Sequence, residues 1–354
     1  MDCKFLTSDD TQWSEALKQF KYDFYHLPDY VKLEADRQNA APEAIYLSEG
    51  DCALFLPYLR RSCASILQPQ SELDTWDIAS PYGYPGPLLN SVALAHSDFI
   101  RRAFSALIEI LRDRGICTAF IRLHPLLNAT LNESVLGQIY QPLGETVWID
   151  LTQSEEQIWS QTIAKHRNRI NHCKRLGFSA QMVPVLEYLD DFIEIYHATM
   201  NRVVATSSYY FDKSYFEALA ASPQVHLCLV RQESRVACAG LFLECCGTVQ
   251  FHLSGTHPDF LKPAPSKLML DFVRSWAKNR GNSAFHLGGG LGSAKDSLFE
   301  FKAGFSPLRS RFAVLKAIAN QPLYLSLIEQ RARAIQSSPQ GLMESGFFPA
   351  YRSG

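Results

Sequence analysis

The sequence predicts an α+β fold, with mixed sheets flanked by helices and two domains of like architecture. Three observations carry this expectation. Strand-like and helix-like runs alternate irregularly, which departs from the strict β-α-β order of a doubly wound parallel sheet. Both halves of the chain run through similar elements. A chain of 354 residues, 47% hydrophobic and 20% charged, has the composition of an ordinary globular protein and a length that favours two cores over one.

In the first half, residues 28–37 read as a helix. The runs AIYLSE (44–49) and CALFLPYLRR (52–61) read as a hairpin turning through Gly50 and Asp51. A proline- and glycine-rich loop at 80–87 precedes a helix over about 97–114 and a strand at 117–123. The strand TVWIDL then ends near Asp150, and Ser154 with Gln157 forms a capping box for the next helix. The domain boundary is therefore placed between residues 1–150 and 151–318. In the second half a basic helix at 165–177 leads to helices near 190–204 and 215–221. Strands follow at 225–231, 236–244 and 249–254, then a helix at 266–280 and strands at 283–287 and 311–318.

Lys plus Arg (34) nearly balance Asp plus Glu (36), so no global field attracts nucleic acid or an anionic membrane, and a polyanion must be met by a local patch. The start MDCKFLTSDD lacks a basic region followed by an apolar core, and no apolar run approaches the roughly 20 residues that span a bilayer. A cytoplasmic location is expected. The nine cysteines contain no CxxC and cannot all pair, which favours reduced thiols, with Cys117, Cys228 and Cys238 acting as small buried hydrophobes in strands. The ten histidines show no HExxH or paired-ligand spacing, so a catalytic metal is not expected; a tightly bound cofactor is not expected either.

A local patch does exist. No acid occurs between Glu156 and Glu187, yet Lys165, Arg167, Arg169, Lys174 and Arg175 lie there with His166 and His172. At helical spacing Trp159, Ile163, Ile170 and Cys173 form a buried face, with the cations on neighbouring stripes. A merely solvated face usually carries acids as well, so their absence favours an anionic partner, for which arginine supplies bidentate phosphate contacts. A second anion site is expected where Pro265, Ser266 and Lys267 open a helix, although proline and serine are also ordinary capping residues.

Residues 285–305, FHLGGGLGSAKDSLFEFKAGF, combine a strand, a glycine loop and a lysine between aromatics. Gly288, Gly289, Gly290 and Gly292 permit positive φ and close ligand approach, in a spacing that is neither a P-loop nor GxGxxG. Asp296, Glu300 and His286 are possible proton acceptors, and position alone does not choose among them. In the loop YGYPG, Tyr82 and Tyr84 either stack on a sugar or base or plug a turn, and the sequence leaves both readings open.

Four segments taken in order, SPYGYPGPLL (80–89), KHRNRINHCKRLG (165–177), PSKLML (265–270) and FEFKAGFSP (299–307), resemble those of the FemABX-like aminoacyltransferases and their relatives in the GNAT acyltransferase superfamily. The resemblance covers most of the chain. It implies two GNAT-like domains, with a C-terminal helix at 319–336 packing back on the first; the Ser-, Pro- and Gly-rich tail at 337–354 is expected to be poorly ordered. It also implies that Lys302 is the catalytic cation meeting the donor's terminal adenosine and ester, and that Phe301 or Phe305 stacks on a base. Lys165, Arg167 and Arg169 would then border the donor cleft, with Ser266 and Lys267 facing its phosphates. The stretch THPDFLKPAPSK lacks the R/Q-x-x-G-x-G/A turn of acetyl-CoA enzymes, which agrees with an aminoacyl-tRNA donor.

The expected activity is amide formation on an amine acceptor, a small molecule or a muropeptide of the cell wall. The alternative enzyme is an N-acyltransferase using acyl-CoA or an acyl carrier in envelope or exopolysaccharide synthesis. A third reading is an inactive module that binds RNA or a nucleotide sugar. No long heptad insertion is present, which favours a compact two-domain form, and the oligomeric state is not assigned.

Overall fold

A computed structural model describes residues 1–64, 66 and 75–353, so Gly354 of the tail lies outside the described residues. In chain order the elements are β1 (Asp2–Thr7), α1 (Thr11–Leu17), α2 (Pro28–Gln38), β2 (Ala41–Glu49), β3 (Cys52–Ser62), β4 (Trp76–Ala79), β5 (Leu88–Leu89), α3 (Ser91–Leu94), α4 (Ser97–Asp113), β6 (Ile116–Arg122) and α5 (Glu133–Leu136). Next come β7 (Tyr140–Asp150), α6 (Glu155–Gln161), α7 (Ala164–Arg175), β8 (Phe178–Val183), α8 (Leu189–Arg202), α9 (Lys213–Ala220), β9 (Val225–Gln232), β10 (Arg235–Cys245) and β11 (Thr248–Thr256). The last are α10 (Ser266–Asn279), β12 (Ala284–Gly288), α11 (Ser297–Ala303), β13 (Arg309–Ile318), α12 (Gln321–Ala334) and α13 (Pro339–Glu344).

The chain divides into two compact units, Met1–Leu143 with Arg311–Gly354, and Gly144–Ser310. In the first unit the strands lie in the order β1-β2-β3-β4-β6-β13, with β5 beside β3. Every neighbouring pair along that order is antiparallel except β4 and β6, which are parallel and joined through α4. In the second unit the order is β8-β9-β10-β11-β12-β7, again antiparallel except for β11 and β12, which are joined through α10. The two patterns of direction are the same, and each unit places two helices between its first two strands. The α+β expectation is borne out, and the two halves repeat one topology.

Amphipathic patterning explains how each sheet is covered. On α4, Phe99, Ile100, Ala103, Phe104, Leu107 and Leu111 recur every three or four residues and pack into a core with Ile45, Leu56 and Ile121. On α10, Leu268, Met269, Val273 and Ala277 do the same against Val249, Phe285 and Leu287. Gly50 turns the β2–β3 hairpin at φ +58, a left-handed conformation in which glycine carries no Cβ penalty. Among the described residues no helix is long and apolar enough to cross a membrane.

Two expectations about organisation are corrected. The strand expected to close the second domain at residue 318 pairs with the first unit instead, Val314 opposite Arg122 through Ile318 opposite Thr118. Conversely β7, expected to end the first domain at residue 150, pairs with β12 over Val147–Asp150. The final strands of the two units are thus exchanged in chain order: β7 follows β6 but pairs with β12, and β13 follows β12 but pairs with β6.

The tail is also packed, contrary to expectation. Leu342, Ala350 and Tyr351 are buried with Tyr324, Leu327 and Ile328 of α12 and with Cys63 and Cys117. The physical reason is a polar anchor. Tyr351 donates to the buried Asp77 carboxylate at 3.1 Å and lies 2.7 Å from the Thr118 hydroxyl, while Arg352 and Arg61 pair with the same carboxylate.

Candidate functional site

In the second unit the parallel strands β11 and β12 pair only over Thr248–Ala284, Val249–Phe285 and Gln250–His286, and β11 then continues to Thr256 without β12 beside it. Asn279 at the end of α10 is followed within a few residues by Ala284, opposite Thr248. The carboxyl end of α10 therefore lies at the paired end of the strands, and its amino end lies where β11 and β12 have parted. Pro265 presets φ at −64° before the first turn, which carries Ser266 and Lys267, and both are half-buried. Helix N–H groups and dipole make this end favourable to an anion.

Three cations meet there. Lys165 and Arg169 are exposed on α7, which packs along α10. Burial, followed by the charges of Lys165 and Arg169, holds the Lys267 ammonium below the ordinary lysine range. Its Nζ lies 5.0 Å from the centre of the Phe301 ring, a cation–π contact. Like charges gathered on a helix start are unfavourable alone and become favourable with an anion among them.

The other cations of the basic segment do different work. Arg167 donates through one guanidinium nitrogen to the carbonyl oxygens of Trp159 (3.3 Å), Ser160 (3.0 Å) and Thr162, so this nitrogen satisfies the carboxyl end of α6. Lys174 pairs with Asp271 at 3.4 Å. The expected continuous buried face fails at one position. Thr162 and Ile163 are extended and separate α6 from α7, which leaves Ile163 45% exposed, and His166 joins Ile170 and Cys173 on the buried face.

The glycine loop and the FK-x-GF segment form one assembly. Lys302 is only 9% exposed, and its Nζ donates to the Gly289 carbonyl oxygen at 2.7 Å. Burial pushes its pKa down to about 8. It thus lies behind the loop and not on an open surface. Gly288 takes φ +80, and a Cβ on Gly290 would stand 2.1 Å from the Ala294 carbonyl oxygen and 2.4 Å from an Asp296 carboxylate oxygen. Phe305 is 1% exposed and belongs to the core, so it is not available to stack on a base, whereas Phe301 is half-buried under Lys267.

The three possible proton acceptors separate clearly. Asp296 accepts from the N–H groups of Phe299 (2.9 Å) and Leu291 (3.0 Å); burial works upward on its pKa, but these and neighbouring backbone donors hold it below the usual carboxylate range. His286 is wholly buried with Nδ1 2.6 Å from the Gln250 side-chain oxygen, and Glu300 is exposed.

Tyr82 and Tyr84 belong to the first unit. The Tyr82 carbonyl accepts from the Tyr30 hydroxyl at 2.9 Å, its N–H donates to Glu34, and the Tyr84 ring packs against Tyr25 and Phe312. Behind them lies a buried arrangement that sequence reasoning missed. Asp23 accepts from His124 Nε2 at 2.7 Å, and His124 Nδ1 accepts from the N–H groups of Leu126 and Leu127. His26 donates to the Gly86 carbonyl at 2.9 Å and ties the aromatic loop to the same turn. No local motif announces a pair 101 residues apart.

Residues 160–302 match the family described as the acetyltransferase (GNAT) domain. No curated protein matches the sequence significantly. Among solved structures, FemX superposes with a TM-score of 0.67 at 14% identity, covering 92% of this chain and 99% of that one. The C-terminal domain of a putative lysylphosphatidylglycerol synthetase from Agrobacterium fabrum gives 0.54 at 15% identity, covering 92% and 95%. The L-PGS of Bacillus licheniformis also gives 0.54, at 12% identity, covering 93% and 97%. The resemblance drawn from four short segments is borne out: residues 160–302 form a GNAT acetyltransferase domain, the domain of an acyltransferase, within a chain that has the fold of FemX.

Proposed function

We propose that this chain is a FemABX-like aminoacyltransferase that forms an amide on an amine acceptor. The observation that carries the proposal is the gathering of Lys165, Arg169 and Lys267 around the amino end of α10, beside Phe301 and at the parting of β11 and β12. This arrangement suits the phosphates and terminal base of a donor such as aminoacyl-tRNA, with a cell-wall peptide precursor as the acceptor suggested by the FemABX resemblance. Such a reaction belongs in the cytoplasm, where charged tRNA is found.

In the reaction the acceptor nitrogen bonds to the donor carbonyl carbon, the carbon–oxygen bond of the ester breaks, and the proton leaving nitrogen passes to the departing hydroxyl. No covalent enzyme intermediate and no redox step is required. Holding the two reactants together supplies effective molarities on the order of 10⁵ M or more in well-oriented systems. Negative charge grows on the carbonyl oxygen in the transition state, and the buried Lys302 ammonium contributes positive potential from behind the glycine loop while it fixes the loop through Gly289. In this reading Lys302 acts as a positioning and electrostatic residue.

The test is binding and transfer with defined donors. Purified full-length protein is titrated with charged tRNA, with acetyl-CoA and with a nucleotide-linked muropeptide, and melting temperature is followed. A ligand at about 100 times its dissociation constant stabilises by roughly 2.7 kcal/mol. Stabilisation by charged tRNA that weakens with salt, together with transfer of the labelled amino acid, supports the proposal. Stabilisation by acetyl-CoA alone replaces it with the N-acyltransferase, and stabilisation by RNA or nucleotide sugar without transfer replaces it with a binding module.

A further inference from the structure

His166 lies one residue from Lys165 on α7 and is only 4% exposed. Its Nε2 lies 2.9 Å from the carbonyl oxygen of Phe301; a carbonyl only accepts, so Nε2 carries the proton and Nδ1 carries the lone pair. Nδ1 is buried and has no hydrogen-bond partner. The ring meets Phe305 edge to face at 4.8 Å and lies 5.9 Å from Phe301. Gly304 completes the seat, because a Cβ there would stand 2.5 Å from both Cε1 and Nε2 of the imidazole. The glycine of FK-x-GF is therefore the residue that admits this ring.

An unpaired buried acceptor lowers stability, and an aliphatic side chain of similar size would fill the space without that cost. What the imidazole adds is one directed bond to the backbone of the residue whose ring lies under Lys267. We propose that His166 is a positioning residue of the acyltransfer site: its Nε2–H holds the backbone at Phe301 and so sets the Phe301 ring beside Lys267, where the donor's terminal base stacks. This rests on the donor site proposed above.

The charged groups facing the imidazole are both cations, Lys165 on its own helix and Lys267 on α10, while α11 and the residues after it present Phe301, Gly304 and Phe305. Burial and these cations hold its pKa below the ordinary imidazole range, so the ring is neutral near pH 7. A second proton would sit on Nδ1 with no acceptor and two cations nearby, and it would displace the ring from its seat.

Full-length protein and two variants are titrated calorimetrically with pyrophosphate, which probes the cations, and with ADP, which adds a base. His166→Gln keeps a donor of similar reach, and His166→Leu keeps bulk without a donor. Wild type is expected to prefer ADP by about tenfold, the scale of stacking on one aromatic ring. The leucine variant should lose that preference at unchanged pyrophosphate affinity, and the glutamine variant should keep most of it. As pH falls below the ordinary imidazole value of about 6.5 the preference should decline in wild type and stay level in the glutamine variant. A leucine variant that keeps the full preference, or a glutamine variant whose pH profile follows wild type, overturns the inference. The second criterion decides even when the leucine variant does not fold. Wild type that binds pyrophosphate without preferring ADP overturns the role of His166 and leaves the anion site standing; wild type that binds neither brings down the donor site itself.

Discussion

The ammonium of Lys302 donates to the carbonyl oxygen of Gly289 at 2.7 Å, so the cation of the FK-x-GF segment supports the glycine loop from its buried side. Replacing Lys302 by Met keeps most of the stem and removes both the bond and the charge. Turnover is expected to fall by roughly 10²-fold or more, the scale of losing an oxyanion donor. The melting temperature should hold or rise, because a desolvated charge is removed. A variant with normal turnover on a confirmed substrate would refute the role.

The same lysine predicts a pH dependence of stability. Its folded pKa is about 8, against an ordinary value of 10.5. The folded state therefore sheds this proton first, and between those limits the unfolded chain binds more protons. The cost of burying the charge is fully present below about pH 8 and is relieved as pH rises to about 10.5, a few kcal/mol in all. Urea unfolding across this range should show Lys302→Met more stable than wild type at pH 7, with the gap closing as pH rises. A constant gap would contradict the shifted pKa.

The cations of the basic segment should separate by phenotype. Arg169→Gln and Lys267→Gln should weaken pyrophosphate binding with little change in melting temperature. Arg167→Gln should leave binding intact and cost about 1 kcal/mol of stability, since it strips the donor from three carbonyl groups at the end of α6. Equal loss of binding in all three would show that Arg167 also meets the ligand.

Much of this was legible in the sequence, and the failures have physical causes. The irregular strand and helix order exposed the α+β class because hydrophobic period is a local property. The acid-free stretch pointed to the cations of the proposed anion site because charge asymmetry is also local. The bonds from Arg167 to the end of α6 were unreadable, since a side chain folding back on the preceding helix leaves no mark in spacing. Phe305 was offered for stacking because sequence cannot tell which of two phenylalanines around a glycine turns inward. The role of β13 was unreadable, as pairing with β6 depends on contacts nearly two hundred residues apart. Composition suggested a loose tail, where one tyrosine and one arginine on a buried aspartate outweigh several flexible residues.

That anchor gives a further expectation. Tyr351→Ala removes a wholly buried ring and the hydroxyl that meets Asp77 and Thr118. A loss of about 3–5 kcal/mol is expected, the range for a large core aromatic cut to alanine, and thermal unfolding measures it. A loss near zero would mean that the tail is not held in solution.

Gly304→Ala should cost about 1–3 kcal/mol, since the new methyl meets the His166 ring, which cannot retreat without losing its bond to Phe301. His166→Ala in the same chain should recover part of that loss in a double-mutant comparison. Strict additivity of the two changes would show that the glycine is needed for another reason.

The exchanged last strands bear on how the chain can be made and cut. A ribosome delivers β6 long before β13, so the first unit waits with an open sheet edge while all of residues 144–310 emerge. Residues 1–150 expressed alone would keep β7 without β12 and lack β13, and residues 151–318 would keep β13 without β6 and lack β7. Division at the apparent midpoint thus yields two fragments that each carry the other's closing strand. Fragments made that way should aggregate separately and recover a soluble form only when synthesised together.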